Sequence, residues 1–360
     1  MQTCLLFNRV KSMTTQVAFL FPGQGSQAVG MGADVFAVSK AAQQVFEAVD
    51  DALGFSLSDL CFRGPEDTLR ETVNAQPAIV TVSLALLAAL QEALSRENAS
   101  SEYPSSWSTP LVPSFTAGHS VGEYAALVAS NALDLGDAVK LVRERGRLMH
   151  HEGTVCPGGM AAIIGMDEEP LQEVCREATE QLTANRAAAA HPGQGHVTIA
   201  NFNAPGQIVI SGEQAALTAA MELARARGAK RVIPLAVSGA FHSPVMQPAA
   251  VGLAQAISNA KVHDASIPVI GNISAAPLTS AEEIREELAQ QIAASVQWIR
   301  TIEYLANAGV TVFIEIGPGQ ALTGMVKRIA KGVTTLNISS LAEIEKSVST
   351  MREMKLVHEV

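Results

Sequence analysis

One short segment constrains the fold more than any other. Residues Gly118-His119-Ser120-Val121-Gly122 stand between a strand predicted near Phe115 to Gly118 and a helix predicted from about Gly122. A chain that passes from strand to helix across one serine needs a very tight turn, and the flanking glycines permit it. Ser120 is then left exposed at a helix N-terminus, the setting of a nucleophile elbow. The plain alternative is a glycine-rich strand-to-helix turn without chemistry. GxSxG arises by chance in many chains, but the strand before it and the helix after it favour the catalytic reading.

The rest of the pattern predicts α/β architecture. Val17 to Phe21 is a short apolar run closed by Pro22 and Gly23, as expected of a central strand buried on both faces. A helix-rich stretch follows to about residue 97, and residues 98–114, crowded with Ser and Pro, read as an exposed loop. Within the helical stretch, Ala78 to Leu90 reads as a buried helix with Pro77 near its first turn, short of the roughly 20 residues a membrane span needs. From Gly158 the rhythm changes: strand to Gly165, helix Glu168 to Leu182, strand Val197 to Asn201, strand Gln207 to Ser211, helix Glu213 to Arg227, strand Arg231 to Leu235. That βαββαβ order is the ferredoxin-like signature, with residues 185–196 as a surface insertion. Strands at Ile267 to Gly271 and Val312 to Ile316, separated by a helical stretch from Ser280 to Ala308, then resume the first pattern. The expected division is a tail over 1–13, with Met13 as an alternative start. A large α/β-hydrolase-like domain with a parallel sheet core follows over 14–156 and 234–345. A ferredoxin-like small domain over 157–233 is inserted into it, and 346–360 form a C-terminal segment.

Composition narrows the function. With 48% hydrophobic and 17% charged residues, a chain of 360 residues has ample material for a core, and its net charge of −10 opposes general affinity for nucleic acid or an anionic membrane. Cys4, Cys61, Cys156 and Cys175 are scattered, with neither metal spacing nor a disulfide framework, which fits a reducing cytoplasm.

A serine hydroxyl is a weak nucleophile at neutral pH and needs a base. Of eight histidines, His242 stands out in Ser238-Gly239-Ala240-Phe241-His242-Ser243-Pro244, just past a strand end and before a helix. His119 is the rival, but neighbours on a sharp turn point apart, so it reads as structural. His150, His151, His191, His196 and His263 read as solvated. The glycine-rich loop Phe21-Pro22-Gly23-Gln24-Gly25-Ser26-Gln27 lacks the Lys-Ser/Thr pair and the spacing of nucleotide loops. Its backbone N–H groups and that of Val121 can instead converge on a carbonyl oxygen. Arg143, Arg145 and Arg147 share a long helix. Solvation is the plain reading, kept for Arg143 and Arg147; one arginine turned inward would be a carboxylate clamp that only an anionic substrate justifies.

FPGQGSQ, GHSVGEYAAL, LVRERGRLM, NFNAPGQIVISG, SGAFHSPVM, SVQW at Ser295 to Trp298 and EIGPGQALTGMVKRI occur in one order across residues 17 to about 340. In that order and spacing the chain resembles the malonyl-CoA:acyl carrier protein transacylases, the FabD-type acyltransferases of fatty acid and polyketide synthesis. The resemblance implies Ser120 as nucleophile, His242 as base, Gln24 and Val121 as the oxyanion hole and Arg145 as the malonyl carboxylate clamp. It further implies Gln297 orienting His242 through its main-chain carbonyl, and Phe241 as a bulky specificity residue that excludes the methyl of methylmalonyl-CoA. It implies ping-pong transfer with malonyl-CoA and phosphopantetheinylated acyl carrier protein as substrates, no metal or bound cofactor, and a cytoplasmic monomer, or a plastid stromal one in a photosynthetic eukaryote. The loops at 98–114 and 185–196 and the tail depart from the compact bacterial pattern. A serine esterase or thioesterase is the first rival, but there an acid precedes a histidine close to the chain end, and His242 is followed by over a hundred residues. A non-catalytic carrier-docking subunit is the second, and it would be expected to lack Ser120 or His242. A discrete polyketide acyltransferase or a malonate decarboxylase subunit differs mainly in its carrier.

Overall fold

The computed structural model describes residues 15–98, 111–184 and 191–356. The expected tail lies outside these, as do most of the 98–114 loop and half of the 185–196 insertion. Strands β1 (Gln16–Phe21), β2 (Phe115–Gly118), β3 (Gly158–Ile164), β4 (Val197–Ala204), β5 (Gln207–Glu213), β6 (Arg231–Pro234), β7 (Val269–Ile270), β8 (Pro277–Leu278), β9 (Val310–Ile316) and β10 (Thr334–Ile338) form two sheets. The first has the order β10-β9-β1-β2-β7-β8 and the second β4-β5-β3-β6. The first is parallel except for the edge pair β7 and β8, and the second is antiparallel throughout.

β1 sits in the middle of the first sheet because it is apolar on both faces. Val17, Phe19 and Phe21 pack into one hydrophobic cluster, Ala18 and Leu20 into another on the opposite side. The loops after β1, β2 and β7 therefore leave the same edge side by side, and the outer ends of parallel strands are where α/β folds gather function. Helix Thr72–Asn98 covers one face and packs against helix Leu135–Val155. Gly146 lets them close up, since a Cβ there would lie 2.8 Å from the Thr72 carbonyl oxygen.

Two expectations change. The helix expected over Ala78 to Leu90 is longer, running Thr72–Asn98, and Pro77 is an interior residue in its second turn. Over Thr72–Ser95 that helix is long and apolar enough to cross a membrane, but 67% of its apolar window is buried inside the protein. The stretch expected to be helical from Ser280 to Ala308 is broken into helix Ala281–Gln290, a single 3-10 turn Gln291–Ala293, and helix Trp298–Asn307. The break has a clear partner. Val296 forms a parallel bridge to Asn201, donating its N–H to the Ala200 carbonyl at 2.8 Å and accepting from the Phe202 N–H at 2.9 Å. Pairing with β4 replaces the helical hydrogen bonds of this segment and ties the second sheet to the first.

Candidate active site

The Ser120 turn is as tight as its glycines suggest. Ser120 has φ 52°, and a Cβ on Gly118 would stand 2.0 Å from the Gly122 carbonyl carbon. A Cβ on Gly122 would stand 2.2 Å from the Phe21 carbonyl oxygen. A strained left-handed serine persists only if its surroundings over-determine it. Asn272, just after β7, does much of this: its Oδ1 accepts the Ser120 N–H at 2.7 Å and its Nδ2 donates to the Gly118 carbonyl at 2.7 Å. His242 is also left-handed, φ 57°, and its N–H donates to the Ile292 carbonyl at 2.9 Å.

Ser120 Oγ and His242 Nε2 are 2.7 Å apart. On its other side the ring's Nδ1 faces two carbonyl oxygens, those of Gln291 at 2.9 Å and Ala294 at 3.0 Å. Carbonyls only accept, so Nδ1 carries the proton and Nε2 presents its lone pair to the Ser120 hydroxyl. Burial, and then the positive Arg145 nearby, push the ring's pKa down to about 3, so it stays neutral with the Nε2 lone pair free.

Gln297 is not the residue that holds the ring. Its carbonyl accepts the Thr301 N–H at 2.9 Å and so opens helix Trp298–Asn307, while its N–H donates to the Asn272 carbonyl at 2.8 Å. The Gln291 carbonyl closes the single turn at 291–293 by accepting the Ala294 N–H at 3.3 Å and also faces the imidazole, and Ala294, just past the turn, adds its own carbonyl.

Arg145 is turned inward and 1% exposed. Its Nη1 donates to Gln76 Oε1 at 2.7 Å; its Nη2 donates to Gln291 Oε1 at 2.9 Å and to Ser120 Oγ at 3.1 Å. All three acceptors are uncharged and, among the described residues, Nε has no partner, so a buried guanidinium stands beside the serine with no described carboxylate bonded to it. That is a costly state and an attractive one for an anion. Arg147 is exposed and pairs with Glu144, as expected. Arg143 is not simply solvated: it stacks 4.3 Å from the centre of the Phe55 ring.

The serine opens onto a cavity of about 670 Å³ that Gln24, Met149, Met160, Phe241 and His242 help to line, together with Asn201 and Asn203 of the second sheet. Gln24 donates through Nε2 to Thr72 Oγ1 at 3.2 Å and accepts from Gln76 at 3.4 Å, which fixes the loop after β1 beside the serine. Val121 lies at the start of helix Gly122–Ala129, and among the described hydrogen bonds none engages its N–H. His119 turns away from the serine, its Nε2 donating to Asn203 Oδ1 at 2.8 Å with burial lowering its pKa. His191 is not solvated either; its Nε2 lies 3.2 Å from Glu152 Oε2.

Four residues of the site escaped the sequence: Gln76, Glu123, Asn272 and Gln291. Glu123 directly follows the elbow and Asn272 directly follows a strand, positions that could have drawn attention. Gln76 and Gln291 sit in helical stretches with nothing in their neighbours to single them out. Among the described residues, no group of three or more His, Cys, Asp or Glu side chains could hold a metal ion.

The acyl transferase domain family matches residues 18–354. The malonyl CoA-acyl carrier protein transacylase of Bacillus subtilis is 42% identical over 339 residues, covering 94% of this chain and 98% of that protein. Its namesake in Staphylococcus aureus (strain COL) is 37% identical over 331 residues, covering 92% and 98%. The crystal structure of an acyl-carrier-protein-S-malonyltransferase from Bartonella henselae superimposes with a TM-score of 0.83 at 40% identity, over 94% of this chain and all of that one. A malonyl-transacylase in complex with its type II PKS acyl-carrier protein gives 0.82 at 35% identity, over 93% and 100%.

Proposed function

Since the chain belongs to the acyl transferase family, among its malonyl-CoA:acyl carrier protein transacylases, we propose that it moves malonyl from malonyl-CoA to the phosphopantetheine thiol of an acyl carrier protein through an ester on Ser120. It is an acyltransferase, and fatty acid synthesis is the process it supplies. The observation that carries the reading is the 2.7 Å contact between Ser120 Oγ and a neutral His242 Nε2, with Arg145 beside them.

The Ser120 oxygen attacks the thioester carbonyl as its proton passes to His242 Nε2. The tetrahedral oxyanion is met by the N–H groups of Gln24 and Val121. Collapse expels the CoA thiolate, which takes the proton from His242, leaving malonyl as an ester. The carrier thiol then enters as CoA left, giving up its proton to His242, and collapse returns that proton to Ser120. Gln291 and Ala294 hold the ring by carbonyls where a Ser-His-Asp site uses an acid. Arg145 takes the malonyl carboxylate in place of its neutral partners, and Phe241 crowds the α-carbon. These steps need no metal and no bound cofactor.

We further read the first sheet and its helices as an α/β-hydrolase-like domain over 14–156 and 234–345. The unit over 157–233 reads as ferredoxin-like, which its βαββαβ order and the strand order β4-β5-β3-β6 support. A cytoplasmic monomer without nucleic-acid or membrane partners is consistent with the net charge of −10. The test is to incubate the protein with malonyl-CoA and follow intact mass. One malonyl adduct on Ser120, discharged by holo carrier protein, is expected; no adduct overturns the reading. The structural neighbour bound to a type II PKS carrier makes that carrier class the second one to assay.

A further inference from the structure

A Ser-His site ordinarily has an acid, and the sequence shows none in a motif of its own. The structure holds one directly behind the elbow. Glu123 is fully buried in the first turn of helix Gly122–Ala129. Its Oε2 accepts a hydrogen bond from Gln291 Nε2 and its Oε1 accepts the Asn272 N–H at 3.2 Å. Gln291 in turn touches three parts of the site: its Nε2 also donates to the Ser120 carbonyl at 3.0 Å, its Oε1 accepts from Arg145, and its main-chain carbonyl accepts from His242 Nδ1. A primary amide can rotate and flip, and only one of its two orientations serves here. The Glu123 carboxylate fixes that orientation, because an acceptor at this place requires the amide nitrogen to face it and leaves the amide oxygen to Arg145.

We propose that Glu123 is the acid of this site, a positioning residue that acts one amide removed from the histidine: through Gln291 it sets the guanidinium, the nucleophile's backbone and the carbonyl that orients the ring. The inference rests on the Ser120 and His242 assignment above. It differs from the Ser-His-Asp arrangement in that the acid never meets the imidazole, and so can serve the anion clamp and the base together.

The relay works only while the carboxyl accepts. Protonated, Glu123 carries an O–H on one oxygen and can no longer accept on both from the Gln291 amide and the Asn272 N–H, so its hold on the amide weakens. The ionisable groups facing it are Glu287 from helix Ala281–Gln290, Arg145 from helix Leu135–Val155, and Tyr124 on its own helix. Burial and then the Glu287 carboxyl raise its pKa, while the donors from Gln291 and Asn272 hold it down. Burial and then Arg145 push His242 the other way, below its ordinary value.

The experiment is single-turnover acylation of Ser120 by malonyl-CoA, read by intact mass from about pH 5 to 9, on the parent and Glu123→Gln. The parent should lose rate toward acid in this range. Glu123→Gln should acylate roughly 10- to 100-fold more slowly at its plateau, as small misplacements of reacting groups do, and its rate should be flat where the parent's falls. A merely structural role for Glu123 would lower the rate or the melting temperature without removing the acid limb. A folded Glu123→Gln that keeps the limb, or that acylates within about twofold of the parent at its plateau, overturns the proposal. If Glu123→Gln does not fold, Gln291→Met decides: it keeps the main-chain carbonyl on His242 but cuts the relay, so a retained limb overturns the proposal and a lost one supports it. A parent that forms no malonyl-enzyme at any pH sinks the transacylase reading instead, and a parent that acylates without an acid limb sinks only the relay.

Discussion

At the scale of single residues, the site is a neutral histidine and a buried cation that share one serine oxygen. Ser120→Ala should abolish the malonyl-enzyme in intact mass, because the one hydroxyl bonded to His242 Nε2 is gone. His242→Ala should leave the fold intact by circular dichroism and slow acylation about 10²- to 10⁴-fold, the usual worth of a positioned base. Arg145→Ala should lower kcat/KM for malonyl-CoA far more than for acetyl-CoA, removing or reversing the preference, since only the first substrate supplies the charge the guanidinium lacks. Unchanged preference would mean that the carboxylate binds elsewhere. In its proposed role Phe241, which lines the cavity, would exclude one methyl by shape, worth about 1 to 3 kcal/mol, so discrimination against methylmalonyl-CoA should be the weaker of the two. That Ser120, His242 and Arg145 would meet was legible from the motifs they stand in, with the resemblance choosing Arg145 among three arginines of its helix. Gln291 was not: it works through a main-chain carbonyl and an amide, and any residue has the first. That is also why Gln297, in a more conspicuous tetrapeptide, was expected in its place.

At the scale of elements, backbone shape decides what the motifs can do. Gly118 and Gly122 are required by contact, since a Cβ on either would overlap main-chain atoms. Gly118→Ala should destabilise the protein by more than about 3 kcal/mol or prevent its folding, as large steric insults to a core do. By contrast, Gly324 lies within helix Ala321–Ile329 and a Cβ there meets nothing within 4 Å. Gly324→Ala should stabilise by about 0.5 to 1 kcal/mol, the propensity difference in a helix interior. Urea unfolding of both variants checks the pair. Helices and strands were largely legible from apolar periodicity. The break at 294–297 was not, because nothing local in Ala294-Ser295-Val296-Gln297 interrupts a helical pattern; its extended form comes from pairing with β4, a partner nearly a hundred residues earlier.

At the scale of the whole molecule, buried titratable groups tie stability to pH in opposing directions. Burial raises Glu287 to about 7. A carboxyl raised on folding gives its full contribution below its unfolded value, near 4.5, and loses it as pH rises through about 7. His242 is depressed from 6.5 to about 3, so its contribution is complete above 6.5 and lost as pH falls toward 3. Glu287→Gln should therefore gain in melting temperature relative to the parent as pH goes from 5 to 8, and a difference that stays flat would contradict the raised carboxyl. The two-sheet plan was legible from the change of rhythm at Gly158, but how the sheets join was not, since it rests on contacts distant in sequence, such as the Val296 bridge to β4 and the Arg328 side chain on Gln207 and Pro205. That bridge has a mechanical side. Val296 is stitched to the backbone of β4 through both its N–H and its carbonyl, and two residues earlier the Ala294 carbonyl grips the imidazole. The ribbon thus joins the second sheet to the histidine: the segment whose carbonyl holds the ring is itself held by β4, so the alignment of the imidazole on Ser120 depends on where that sheet is docked.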